Sequence, residues 1–175
     1  MIIYVMRHGQ TEENTRWILN DDPKRVVHLN SEGSRQSEEA AEKLKRKSFR
    51  AVFTSEFART IETAEIVNKY HHAPLIIDSR INERKTGFDG KHVSEFVKNL
   101  KDRFNTKPPK GESWQEEKER IRSFLDDLKT RKYGSVLIVT HGEPMMHMAG
   151  YFRKLTDEEM WKLEIDNCDI MEFEV

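Results

Sequence analysis

Ser135-Val136-Leu137-Ile138-Val139-Thr140 is the stretch that decides the fold. Its four central residues are all aliphatic, and no polar residue alternates with them. Such a run reads as a strand buried on both faces, as in a parallel sheet covered by helices. Upstream of it, Ser113 with Glu116 three residues later forms a capping-box pattern before a helix over 114–129. Before that lies a loop over 105–111, where Pro108, Pro109 and Gly111 end any helix. Further strands are predicted over 2–6, 51–54 and 75–78, and late ones over 161–165 and 170–175. Helices are predicted over 32–47 with Ser31 as cap, over 58–70, 92–104 and 144–151, and over 156–160. Residues 14–30 carry no clear periodicity. Strands alternating with helices imply an α/β protein. The expected architecture is a three-layer α/β/α sandwich with a mainly parallel central sheet, helices lying on both faces.

With 175 residues the chain suits one domain, 1–175, with 84–113 as a lid or cap insertion. Charged residues make up 35% of it, yet the formal net charge is -1. That balance argues against broad binding to nucleic acid or membrane, both of which need a basic excess. The single cysteine, Cys168, excludes an intrachain disulfide framework and points to a reducing compartment. Residues 1–6 meet Arg7 at once and read as a strand, not a leader; no apolar run approaches the ~20 residues of a membrane helix. The expectation is a soluble, cytoplasmic protein.

In a sheet of this kind, ligands bind at the carboxyl ends of the strands. Those ends carry Arg7-His8-Gly9, then Ser55 with Arg59 one helical turn on, then Glu83, then His141-Gly142-Glu143. Two imidazoles, two guanidiniums and a carboxyl are the groups that phosphoryl transfer uses. Guanidiniums stabilise the charge on the transferring group, and a neutral imidazole can attack phosphorus. A carboxyl can protonate the departing alkoxide. Glu112 and Glu143 are rival carboxylates for that task, and a zinc site of His8, His141 and a carboxylate is a weaker use of the same groups.

Met6-Arg7-His8-Gly9-Gln10-Thr11 resembles the signature of the histidine phosphatase superfamily, the phosphoglycerate-mutase-like group. The segments 29–36 and 54–64, Ile81-Asn82-Glu83-Arg84 with Gly87 and Gly90, and Val139-Thr140-His141-Gly142 are similar to its further motifs, in the same order. The resemblance implies a phosphoglycerate-mutase-like fold, with His8 as nucleophile. Arg7, Arg59 and His141 would grip phosphate oxygens and Glu83 would act as general acid and base. Asn14 matches a residue lining the phosphate pocket; Gly142 and Arg84 are further candidate substrate contacts. No metal or cofactor is implied for a phosphatase of this type.

The expected function is a phosphomonoesterase acting on a small phosphorylated metabolite through a phosphohistidine on His8. The alternatives are a phosphoglycerate mutase primed by 2,3-bisphosphoglycerate and a catalytically silent phospho-ligand binder. Segment 105–113 lacks the paired arginines of the mutases, and Glu143 stands where they carry asparagine. Against this, residues 81–84 are mutase-like, and Arg84, Lys85 or Lys91 could hold a carboxylate. Specificity is expected from 16–28 and 84–113; the oligomeric state is not legible.

Overall fold

A computed structural model describes residues 1–175. Five strands, β1 (Ile2–Arg7), β2 (Ala51–Thr54), β3 (Leu75–Ile77), β4 (Ser135–Thr140) and β5 (Ile170–Glu174), form one sheet in the order β3-β2-β4-β1-β5. The first four are parallel, and β5 runs antiparallel to β1. The all-apolar run of β4 lies in the middle, with Val136 to Val139 fully buried. From β1 the chain crosses to β2 and β3, then turns back to place β4 between β1 and β2. That reversal creates the crevice at the carboxyl ends of β1, β2 and β4.

Side chains alternate across the strands and so build two cores. Tyr4, Met6, Leu137 and Val139 meet α2 (Ser31–Leu44) and α3 (Ala58–Asn68) through Ala40, Ala41, Leu44, Ala64 and Val67. Ile3, Val5, Val136 and Ile138 meet α5 (Trp114–Thr130) and α6 (Gly142–Arg153) through Ile121, Phe124, Leu125, Met145 and Met148. The result is the expected three-layer α/β/α sandwich. Three short helices, α1 (Glu12–Thr15), α4 (Val93–Asn99) and α7 (Asp157–Trp161), contribute residues to the cavity at the carboxyl ends of the strands. No helix is long and apolar enough to cross a membrane.

Several local expectations are corrected. Asn30, not Ser31, caps α2, its side chain accepting from the Gly33 amide at 2.8 Å. The helix predicted over 92–104 stops at Asn99. Beyond it the Asp102 carboxylate accepts from the amides of Phe104 and Asn105, a local turn that competes with helix. Residues 161–165 form no strand, because the sheet edge beside β1 is taken by β5 and Trp161 belongs to α7, packed on Trp114. The helix expected over 144–151 begins at Gly142, directly after His141.

Candidate active site

Register places the site. Arg7 pairs with Thr140 and Val139 with Thr54, so the residues after β1, β4 and β2 emerge side by side. The His8 amide donates to the Thr140 carbonyl at 2.9 Å, locking the turn after β1 to the end of β4. Gly9 packs against the start of α2, where a Cβ would meet the Gly33 carbonyl at 2.4 Å; only glycine permits that approach. The segment bearing Glu83 is tied down twice. Thr140 Oγ1 donates to the Ile81 carbonyl at 2.7 Å, and Arg120 Nη1 donates to the carbonyls of Arg80 and Asn82 at 2.7 and 3.1 Å.

Hydrogen bonds fix both imidazole tautomers. His8 Nδ1 lies 2.7 Å from the Gly9 carbonyl, which can only accept, so Nδ1 carries the proton. Its Nε2 lone pair accepts from Arg59 Nε at 3.1 Å. Arg59 Nη2 donates to His141 Nδ1 at 3.1 Å, so His141 Nε2 is the protonated nitrogen and donates to Ser55 Oγ at 2.9 Å. Ser55 in turn donates to Thr60 Oγ1, which donates to the Phe57 carbonyl. Asn20 holds Arg59 from the other side through its side-chain oxygen and its carbonyl. The two imidazole centroids stand 5.2 Å apart.

Burial, then the charges of Arg59 and Arg7, push the His8 pKa well below the usual imidazole range; burial, Arg59 and His8 do the same for His141. Both rings are therefore neutral near pH 7. Burial lowers Arg59 to about 10, which leaves it charged. Arg7 Nη1 donates to the Ile165 carbonyl at 2.6 Å, while its buried Nε has no partner within the protein. A buried donor without an acceptor is uncommon and marks a place where an anion fits.

Glu83 and Glu143 border the cavity, and the buried Glu117 lies behind them. Oxygens of Glu83, Glu117 and Glu143 lie within 4.8 Å of one another. Burial and the nearby Glu143 raise Glu83 to about 7, against the opposing pull of Arg59 and Arg7. Glu143 rises to about 7 and Glu117 to about 8, both chiefly through burial. A metal ion would suit three such oxygens, but the Arg84 guanidinium already supplies the cation: its Nε lies 2.7 Å from Glu143 Oε2 and 3.9 Å from Glu117 Oε2.

A cavity of about 720 Å³ opens between these groups, and Arg7, His8, Asn14, Arg59, Glu83 and Asn167 are among its walls. The family model for the histidine phosphatase superfamily, branch 1, matches residues 3–175. The chain belongs to this superfamily. Members of the histidine phosphatase superfamily act on phosphate groups as phosphatases or mutases. A Hydrogenobacter thermophilus protein provisionally named phosphoserine phosphatase 2 is 28% identical over 97% of this chain and 87% of its own length. The 2,3-bisphosphoglycerate-dependent phosphoglycerate mutase of Thermoplasma acidophilum is 26% identical over 99% of this chain and 87% of its own. The solved structure of the α-ribazole phosphatase of Shigella flexneri superposes with a TM-score of 0.87 at 22% identity, covering 100% of this chain and 91% of that one. That last likeness bears on the fold alone.

In this histidine phosphatase fold, Arg7, His8, Asn14, Arg59, Glu83 and Arg84 line the cavity, whereas His141 and Gly142 do not. His141 is fully buried and reaches His8 through Arg59. Gly142 opens α6, whose first-turn amides and dipole favour an anion near His141. Asn14 completes the capping box of α1 with Thr11. Arg84, the remaining candidate substrate contact, borders the cavity with its guanidinium turned to carboxylates. It is 1% exposed, and its charge is spent on Glu143 and Glu117. Sequence reasoning missed Asn20, which orients Arg59, and Asn167, which donates to the His8 carbonyl at 3.0 Å. Both lie in irregular segments, where no periodicity singles out one asparagine.

Proposed function

We propose that the protein is a phosphomonoesterase in which His8 attacks phosphorus. One observation carries the reading: His8 is held neutral, protonated on Nδ1, with Nε2 bare of a proton and facing the Arg59 donors at the cavity. A phosphate dianion would draw those donors onto its own oxygens and leave the Nε2 lone pair free. The Nε2–P bond forms as the ester P–O bond breaks, and Arg7 and Arg59 stabilise the charge on the equatorial oxygens. The Glu83 carboxyl gives its proton to the departing alkoxide. Its carboxylate then takes a proton from the water that attacks phosphorus, the N–P bond breaks and phosphate leaves.

The alternative of a mutase draws support from the Thermoplasma relative. Such an enzyme needs a second cationic contact for the substrate carboxylate, and the three candidates fit poorly. Arg84 is paired with Glu143, Lys85 lines a separate cleft of about 350 Å³, and Lys91 lines neither. Hydrolysis is the first reading; a mutase would have to use Lys101 or Arg103, the other cations that line the cavity.

The test is phosphate release across sugar phosphates, phosphoglycerates, nucleotides and phosphoserine, with His8→Ala as control. Wild type should turn over at least one class, leave acid-labile phosphate on the protein when quenched, and lose both with His8→Ala. Glu83→Gln should slow alkyl phosphates by about 10²–10⁴-fold and aryl phosphates far less. Interconversion of 2- and 3-phosphoglycerate with added bisphosphoglycerate and negligible hydrolysis would put the mutase first. Neither turnover nor acid-labile phosphate would leave a silent binder.

A further inference from the structure

The cavity is far larger than a phosphate group, and the residues that suit phosphate occupy one end of it. The other end is roofed by two segments clasped together. The Leu19 amide donates to the Lys91 carbonyl at 2.8 Å, the Gly90 amide to the Leu19 carbonyl at 2.8 Å, and the Val93 amide to the Trp17 carbonyl at 2.8 Å. Side chains reinforce the clasp. Asp89 accepts from the Asp21 amide at 2.9 Å and from Arg25 Nε at 2.7 Å, and the buried Asp21 accepts from Thr86 and Gly87. The roof is thus a built surface, and the residues it presents to the cavity include Trp17, Ile18, Val93, Phe96, Val97 and Leu100.

Two of these residues are exposed despite being large and apolar, Trp17 at 68% and Val97 at 56%. Trp17 also adopts φ 55, a left-handed conformation that a bulky aromatic residue rarely takes. Such backbone strain persists where the surroundings impose it, often around ligands. The Trp17 carbonyl accepts from the Val93 amide in this conformation, and the indole stands on the cavity wall. Charges of both signs border this end of the cavity as well. Lys101, Asp102, Arg103 and Glu158 are among its lining residues, and the Arg103 guanidinium lies 4.4 Å over the Trp161 ring.

We propose that the roof selects phosphomonoesters whose alcohol carries a flat apolar group, and that Trp17 stacks on that group. The proposal rests on the hydrolytic reading above for its catalytic consequence, and on the roof alone for its binding consequence. Small, doubly anionic phosphates such as phosphoglycerate would touch only the phosphate end.

The test compares primary alkyl phosphates, whose leaving alkoxides are similar in basicity. For wild type, kcat/KM on 2-naphthylmethyl phosphate should exceed that on ethyl phosphate by at least about tenfold, mainly through KM. Trp17→Ala should cut that ratio by about tenfold, and Trp17→Phe should restore most of it. A ratio near one in wild type, or one that Trp17→Ala leaves unmoved, would overturn the proposal. Calorimetry with the non-hydrolysable 2-naphthylmethylphosphonate and methylphosphonate reads the stack without turnover. A Kd for the naphthyl compound at least tenfold lower, raised in Trp17→Ala, supports it; equal Kd values sink it even if hydrolysis is strong. Tight naphthyl binding with no hydrolysis of any ester would remove the hydrolytic reading and keep the roof's selectivity.

Discussion

At the scale of single residues, Glu143 has a consequence for Glu83. It sits on the first turn of α6, beside Glu83 and Glu117, with Arg84 as its partner. The groups that face Glu83 are Arg7 from β1, Arg59 from α3, Arg84 next in the chain, Glu117 and Arg120 from α5, and Glu143. Its negative neighbours favour the protonated carboxyl; its positive neighbours oppose them. A proton donor near 7 stays loaded up to neutral pH, so activity on alkyl phosphates should fall as pH rises through that value. Glu143→Gln removes a negative neighbour and leaves Arg84 less compensated, and both changes lower the Glu83 pKa. The basic limb of kcat/KM should move to lower pH for ethyl phosphate. With p-nitrophenyl phosphate, whose leaving group needs no proton, the limb should stay nearly unmoved. Equal movement with both esters would show that Glu143 acts on something other than the proton donor.

At the scale of elements, the start of α2 separates two sequence readings that look alike. Asn30 and Ser31 are both good cap residues, and the serine precedes the more regular helical pattern. The structure uses Asn30, because its amide donates to the Gln10 carbonyl at 3.0 Å and so docks the helix start on the loop that follows His8. Asn30→Ala should cost about 1 kcal/mol, or roughly 2–4 °C in Tm, while Ser31→Ala should change little. Thermal unfolding of the two variants checks this, and the reverse order would return the cap to Ser31. The same docking leaves no room for a side chain at Gly9, whose Cβ would meet the Gly33 carbonyl, or at Gly33, whose Cβ would meet the Gln10 backbone.

At the scale of the whole molecule, the carboxylate cluster makes stability depend on pH. Glu117 is fully buried, its Oε1 accepts no hydrogen bond and lies 3.9 Å from Arg120 Nη2, and its Oε2 meets His147 Nε2 at 3.2 Å. Its folded pKa of about 8 lies above the ordinary value of 4.5, so the folded state holds this proton more tightly. That contribution is fully present below about 4.5 and is lost as pH rises through about 8. Glu117→Gln should therefore raise Tm more at pH 8 than at pH 5, by on the order of 3–6 °C for a gain of about 1–2 kcal/mol. The buried neutral histidines act in the opposite direction, so the difference between variant and wild type is the quantity to read. An equal Tm shift at both pH values would mean that Glu117 is ionised in the fold.

The order of strand and helix patterns along the sequence determined the sandwich. The unbroken aliphatic run of β4 suits a strand covered on both faces, and the capping box of α5 is a local interaction readable from Ser113 and Glu116. Motif order in the sequence also marked His8, Arg59, Glu83 and His141 as one group. Tertiary structure decided the rest. Arg84 could not be known to spend its charge on Glu143 until α5 and α6 brought Glu117 and Glu143 to it. Residues 161–165 are no strand because β5 occupies the sheet edge beside β1. Asn20, Trp17 and the clasped roof depend on backbone amides meeting carbonyls some seventy residues away. Such pairings are set by chain geometry, not by side-chain pattern, and leave no period in the sequence to read.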